Sequence, residues 1–233
     1  MKARGFLRGG RRLRLFAAAG AAALTSWAGV ASAAPFCFDI GAANPGIAGF
    51  PGPYAETCVA LTGSNTATVT FTSDEVAGNI YLMGDGGSVD VNVNATTFSI
   101  SGIILGTNAG TGFAPGPFTQ GAGGAVDGFG SFNLTVNDFD GYTHSADMIT
   151  FTLTDTSGTW ASASDVLTAN DLGFLAAAHI FVTSFPADAS NVAIAVGFAA
   201  GTGPSSPVPE PATLALVGLG LAALVGGAGA RRK

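Results

Sequence analysis

Ile149-Thr150-Phe151-Thr152-Leu153-Thr154 decides the fold, because apolar side chains alternate there with hydroxyls. Successive side chains of a β-strand point to opposite faces, so this hexapeptide reads as a strand with one apolar and one polar side. The same period of two recurs along the chain. Val69 and Phe71 alternate with Thr68, Thr70 and Thr72. Val89, Val91 and Val93 alternate with Asp90, Asn92 and Asn94, and Phe132, Leu134 and Val136 with Asn133, Thr135 and Asn137. Residues 56–62, 97–105, 179–185 and 192–198 are weaker strand candidates. Turn compositions such as Gly84-Asp85-Gly86-Gly87 and Asp138-Phe139-Asp140-Gly141 lie between strands. Two stretches rich in Gly and Pro, 41–54 and 106–128, read as loops. Helical periodicity is confined to one place before the C-terminal tail, where Ser164 or Asp165 is expected to cap a short helix at 166–170. Short, one-sided strands at regular spacing imply an all-β chain, an antiparallel β-sandwich of jelly-roll or Ig-like topology.

The formal net charge of −6 conceals a sharp segregation. Six of the nine Lys and Arg lie within residues 1–33 and the other three are Arg231, Arg232 and Lys233. Fourteen of the fifteen acids lie between residues 34 and 207, where His144 and His179 are the only basic side chains. A body without Lys or Arg cannot neutralise phosphates, which excludes nucleic-acid binding. Docking on anionic lipid headgroups and clamping of phosphorylated substrates fail on the same ground. Repulsion among the acids favours solubility, and divalent cations would relieve it. Cys37 and Cys58 are the only cysteines. In an oxidising compartment they are expected to form a disulfide, worth about 3 kcal/mol in the loop-entropy view. They lack the paired spacing of a zinc site.

Both ends read as addresses. Lys2, Arg4, Arg8, Arg11, Arg12 and Arg14 form a basic segment, followed by an apolar stretch at 15–30. Ala31-Ser32-Ala33 is a small-x-small cleavage site, so residues 1–33 read as a signal peptide handled by the secretion translocon and signal peptidase. At the other end, Val208-Pro209-Glu210-Pro211 precedes an uncharged run over 212–230 and then Arg231-Arg232-Lys233. Nineteen helical residues rise about 28 Å, close to the hydrocarbon thickness of a bilayer. The basic residues would act as a cytoplasmic membrane stop.

Val208, Pro209, Glu210 and Pro211, the apolar segment and the basic end, in that order, resemble the PEP-CTERM sorting signal of exported bacterial proteins. The resemblance covers about a tenth of the chain and concerns sorting. It implies recognition and processing by an exosortase-type membrane protease, in a Gram-negative bacterium that makes exopolysaccharide. The expected organisation is a signal peptide at 1–33, a β-sandwich at 34–198, a linker at 199–207 and the sorting signal at 208–233.

Within the body, Asp138, Asp140, Gly141 and Asp147 fill four positions of an EF-hand-like loop, but Val136 stands at the first position and flanking helices are missing from the pattern. A calcium site on Asp138 and Asp140 is one reading and a solvated turn the other; Asp85 and Asp90 around a Gly turn are a weaker candidate, and no further cofactor is expected. Asp74-Glu75 is the nearest carboxylate pair for glycoside chemistry, yet neighbours on a strand point apart, which favours a strand end. His144 and His179 lack a nucleophile motif such as Gly-x-Ser-x-Gly, so His144 reads as a turn residue and His179 as a strand start. The rows Thr68-Thr70-Thr72 and Thr150-Thr152-Thr154-Thr156 fit a flat crystalline or sugar surface, or ordinary strand composition. Trp160 and Tyr142 are candidates for stacking on a sugar ring or for the core. The expected function is structural or adhesive and without catalysis, at the cell surface or in an extracellular polysaccharide matrix. The alternatives are a carbohydrate-binding or calcium-dependent lectin-like module, then a hydrolase, and last an ice-binding surface.

Overall fold

The computed structural model describes residues 34–106 and 110–204. The signal peptide with its cleavage residues Ala31 and Ala33, the sorting motif Val208–Pro211 and its apolar run, and the stop Arg231–Lys233 lie outside the described residues. The described chain is all-β, with two short 3-10 turns and no α-helix. None of its helices is long and apolar enough to cross a membrane.

Two antiparallel sheets make a sandwich-like arrangement. The first contains β1 (Phe36–Ile40), β3 (Ala55–Leu61), β4 (Thr66–Ser73), β14 (Met148–Asp155) and β8 (Phe98–Leu105), in the order β1-β3-β4-β14-β8. The second runs β10 (Thr119–Ala122), β13 (Leu134–Asn137), β7 (Val89–Val91), β15 (Ala176–Ser184), β17 (Ala195–Gly201) and β2 (Ala42–Ala43). In that sheet β6 (Asn79–Met83) also pairs with β15, and β5 (Glu75–Val76) pairs with β6. Two small pairs complete the list, β11 (Ala125–Val126) with β12 (Gly130–Ser131), and β9 (Gly110–Thr111) with β16 (Ala187–Asp188).

The alternation in the sequence has a simple outcome in the first sheet. Val69, Phe71, Ile149, Phe151 and Leu153 turn inward and are fully or almost fully buried. Inward residues of the second sheet, among them Tyr81, Val89, Val91, Leu134, Val136 and Ile180, belong to the same core cluster. Hydrophobic burial of this scale is the main favourable term, at roughly 25 cal/mol per Å² of apolar surface. Cys37 and Cys58 face each other across β1 and β3 and form the expected disulfide.

The second sheet departs from a one-sided pattern because its outer face is covered too. Val126, Phe129, Phe132, Ala177 and Ala200 form a second cluster, and Ile80, Leu82, Phe181 and Ala187 a third. Hence Asp90 and Thr135, expected on a solvated face, are buried at 2 % and 7 % exposure. Phe132 leaves the strand and packs in the second cluster. Part of the 106–128 stretch is strand, not loop, since β10 pairs with β13. Of the 41–54 stretch, Ala42 and Ala43 pair with β17, and Ile47 and Tyr54 are core.

The short helix expected at 166–170 is replaced by a 3-10 turn at Ala163–Asp165. Asn94 N–H donates to Val166 O at 2.9 Å and Thr168 N–H to Asn92 O at 2.8 Å, so this segment pairs as extended chain. Val166 is buried, and that burial outweighs a weak local helix preference. Strand β17 reaches Gly201, three residues into the stretch read as linker, because Ala199 and Ala200 pair with Ala43 and Ala42.

Candidate functional site

Strands β6 and β7 are one strand broken in the middle. Met83 pairs with Ile180 and Val89 with Ala178, both on the same edge of β15. Residues 84–88 leave the sheet between them, opposite His179. The excursion is held from both sides: His179 N–H donates to Gly87 O at 3.0 Å, and Gly84 N–H donates to His179 O at 3.3 Å. Two residues have positive φ, Asp85 at 64° and Gly87 at 70°. A Cβ on Gly84 would come within 2.8 Å of the Ser145 side chain, so glycine is required there by space.

Strand β13 fastens the excursion. Asn137 Oδ1 accepts from Gly87 N–H at 2.6 Å. Asp138 N–H donates to both Asp85 O and Ser88 Oγ at 3.2 Å. Around this small loop lie three buried polar atoms without a hydrogen-bond partner: Asp90 Oδ2, Asp138 Oδ2 and His179 Nδ1. Buried polar groups are nearly always satisfied, so each of these atoms is a costly exception. Burial pushes the Asp90 carboxyl up to about 7, while the facing Thr135 hydroxyl works the other way. Burial also raises Asp138, and burial lowers His179, keeping that imidazole neutral.

His179 belongs to a line of rings across the outer face. It stacks on Phe198 at 4.3 Å and 15°, and Phe181 follows at 5.3 Å. Tyr142 meets Phe181 edge-on at 5.7 Å and gives its hydroxyl proton to Thr183 Oγ1 at 2.9 Å. His179 is therefore the fourth residue of β15, not a strand start.

A cavity of about 240 Å³ opens beside the loop. Gly86, Gly87, Asp90, Thr135, Asn137 and Phe198 line it, together with Ala122, Gly124, Ala125 and Val126. The β11–β12 hairpin over it is tied down by Asn44 Nδ2 donating to Asp127 Oδ2 at 3.0 Å and by Asn170 Nδ2 donating to Phe129 O at 2.8 Å.

The remaining expected residues fall elsewhere or serve the fold. Asp138 Oδ1 accepts from Asp140 N–H at 2.6 Å, an Asx turn. Among the described residues, the one group of three close His, Cys, Asp or Glu ligand atoms is Cys37, Glu56 and Cys58, and its sulfurs are spent in the disulfide. His144 Nδ1 lies 3.2 Å from Thr143 Oγ1 and from Asp140 O. Asp74 lies between β4 and β5, and its carboxyl is raised by burial, then by Asp39 and Glu56. Trp160 is core, with its indole N–H donating to Asn94 O at 2.8 Å. The two Thr rows lie side by side on the first sheet, with Thr70 and Thr150 hydroxyls 3.0 Å apart. Nothing in the described residues points to catalysis.

The decisive comparison concerns the end of the chain, where residues 207–233 match the PEP-CTERM protein-sorting motif. The chain carries a PEP-CTERM sorting motif. That makes it an exported protein, anchored transiently in the membrane, with an exosortase-type processing partner. No curated protein and no solved structure matches it. The PEP-CTERM motif thus accounts for the sorting, and the body has to be read from its own geometry.

The sequence reading missed Asn137 and Phe198, and it ranked Asp90, with Asp85, below Asp138 and Asp140. One signal was available: Asp90 stands between Val89 and Val91 in a body without Lys or Arg.

Proposed function

We propose that this chain is a structural or adhesive component of the cell surface or extracellular polysaccharide matrix of a Gram-negative bacterium. In this reading a signal peptide at 1–33 is removed and an exosortase-type protease processes the chain near Pro209-Glu210-Pro211. The working part is then a disulfide-stapled β-sandwich of residues 34 to about 204. The observation that carries the proposal is the PEP-CTERM motif at 207–233. The absence of Lys and Arg from residues 34–204 supports it, since such a body stays soluble and avoids phosphate-bearing surfaces. The test is sedimentation of the protein with the host's own extracellular polysaccharide, with release of new reducing ends followed in parallel. Co-sedimentation without turnover is expected. Steady release of reducing ends would make the protein a hydrolase instead.

A second reading, a carbohydrate-binding or calcium-dependent module, is favoured by Asp138, whose buried Oδ2 has no partner beside Asp140. It requires that chelator, or Asp138→Asn, abolish the co-sedimentation. If both leave it unchanged, this second reading falls and the first stands.

A further inference from the structure

The cavity beneath the β11–β12 hairpin has the chemistry of a counter-ion site. One corner is polar: Asp90, Thr135 directly across from it in register, and Asn137 two residues further along β13. The rest is bare backbone or apolar, from Gly86, Gly87, Gly124, Ala125, Val126 and Phe198. A Cβ on Gly87 would stand 3.0 Å from Asp90 Oδ2, so glycine leaves room against that oxygen. Asp90 is 98 % buried by its 2 % exposure, and Oδ2 has no hydrogen-bond partner.

An ionised carboxylate in such a place is strongly destabilising unless a cation compensates it. The body cannot supply one, because residues 34–204 contain no Lys or Arg. Its register partner on the neighbouring strand β15 is Ala177, which brings no charge either. A hard metal ion does not suit the corner: calcium takes six to eight oxygens, usually with several carboxylates, and Asp90 is the only carboxylate lining the cavity. A neutral hydroxyl could satisfy the hydrogen bond and would leave the charge. An ammonium group does both, with three N–H donors for Asp90 Oδ2 and the Thr135 oxygen. Its short carbon stem would lie against Ala125, Val126 and the Phe198 ring. The net negative body draws such cations toward it.

We propose that the Asp90 cavity binds a primary ammonium group on a small carbon stem, with Asp90 as its counter-ion. An amino sugar or a lysine side chain of another protein would each present that group. The site is independent of the sorting reading and would bind whatever the fate of the tail.

The test uses the full chain in mild detergent, titrated with ethylammonium chloride while backbone amide resonances are followed. Saturable shifts centred on Gly86, Gly87, Ala125 and Thr135 are expected, with at least tenfold weaker response to ethanol, the neutral isostere. Asp90→Asn, which keeps the shape and removes the charge, is expected to weaken ethylammonium binding at least tenfold. Ala122→Leu, at an exposed position on the cavity rim, is expected to weaken it without touching Asp90. Glucosamine and Nα-acetyl-lysine amide then separate the two sources by which binds more tightly. The proposal is overturned if no ammonium probe binds saturably, if ethanol binds as well, or if Asp90→Asn binds ethylammonium unchanged.

Discussion

Burial pushes the Asp90 carboxyl up to about 7 from its ordinary 3.8, and the consequence for stability has a definite sign. Between those values the folded chain holds a proton that the unfolded chain has released. Stability is therefore full below about pH 4, falls as pH rises to about 7 and levels off above it, a loss of about 4 kcal/mol at most from this group. Asp138, also raised by burial, adds in the same direction. Urea midpoints taken across this range are expected to fall in the native chain and to fall much less in Asp90→Asn; equal profiles would show that Asp90 is not held protonated. Thr57 offers a second residue-scale check. It is fully buried in the first sheet and its Oγ1 has no partner. Thr57→Val keeps the shape and removes the stranded hydroxyl, so it is expected to raise stability by about 1 kcal/mol in the same denaturation assay. Neither residue announces itself in the sequence, because an Asp or Thr in an alternating strand looks solvated until something covers its face.

Strand β1 is an edge strand, and its tie to β3 is covalent as well as hydrogen-bonded, through Cys37 and Cys58. Reducing the disulfide is expected to lower stability by about 3 kcal/mol, read as a shift in denaturant midpoint with and without reductant. The break between β6 and β7 is a second element-scale device. Gly87→Ala forces a Cβ onto a residue at φ 70° and toward Asp90 Oδ2, so a loss of at least about 1–2 kcal/mol is expected in the same assay. Strands β4 and β14 were legible because Thr alternates with large apolar residues on a sheet with one wet face. Strand β15 was only half legible: Ala176-Ala177-Ala178-His179-Ile180-Phe181 is apolar on both sides, since both of its faces are covered. The helix expected near 166 failed for the same reason, as distant backbone groups at Asn92 and Asn94 claim that segment. Of the candidate site, the turn composition at 84–87 was visible, whereas the gathering of Asp90, Asp138 and His179 around it depends on strand pairing that no local pattern encodes.

For the whole molecule, the segregation of charge ties fold to destination. Every Lys and Arg lies in the terminal segments, while the body carries acids and stands on burial and hydrogen bonds without a Lys or Arg ion pair. The PEP-CTERM motif accounts for the C-terminal cations. On the proposed function, the terminal segments serve delivery and the acidic β-domain alone persists outside the cell. Fractionation of the host, followed by intact-mass measurement of the native protein, tests it most directly. A chain that begins at Ala34 and ends near Pro209-Glu210-Pro211 is expected in the surface or extracellular fraction. Recovery of the uncut 22.9 kDa chain from the cytosol would contradict it.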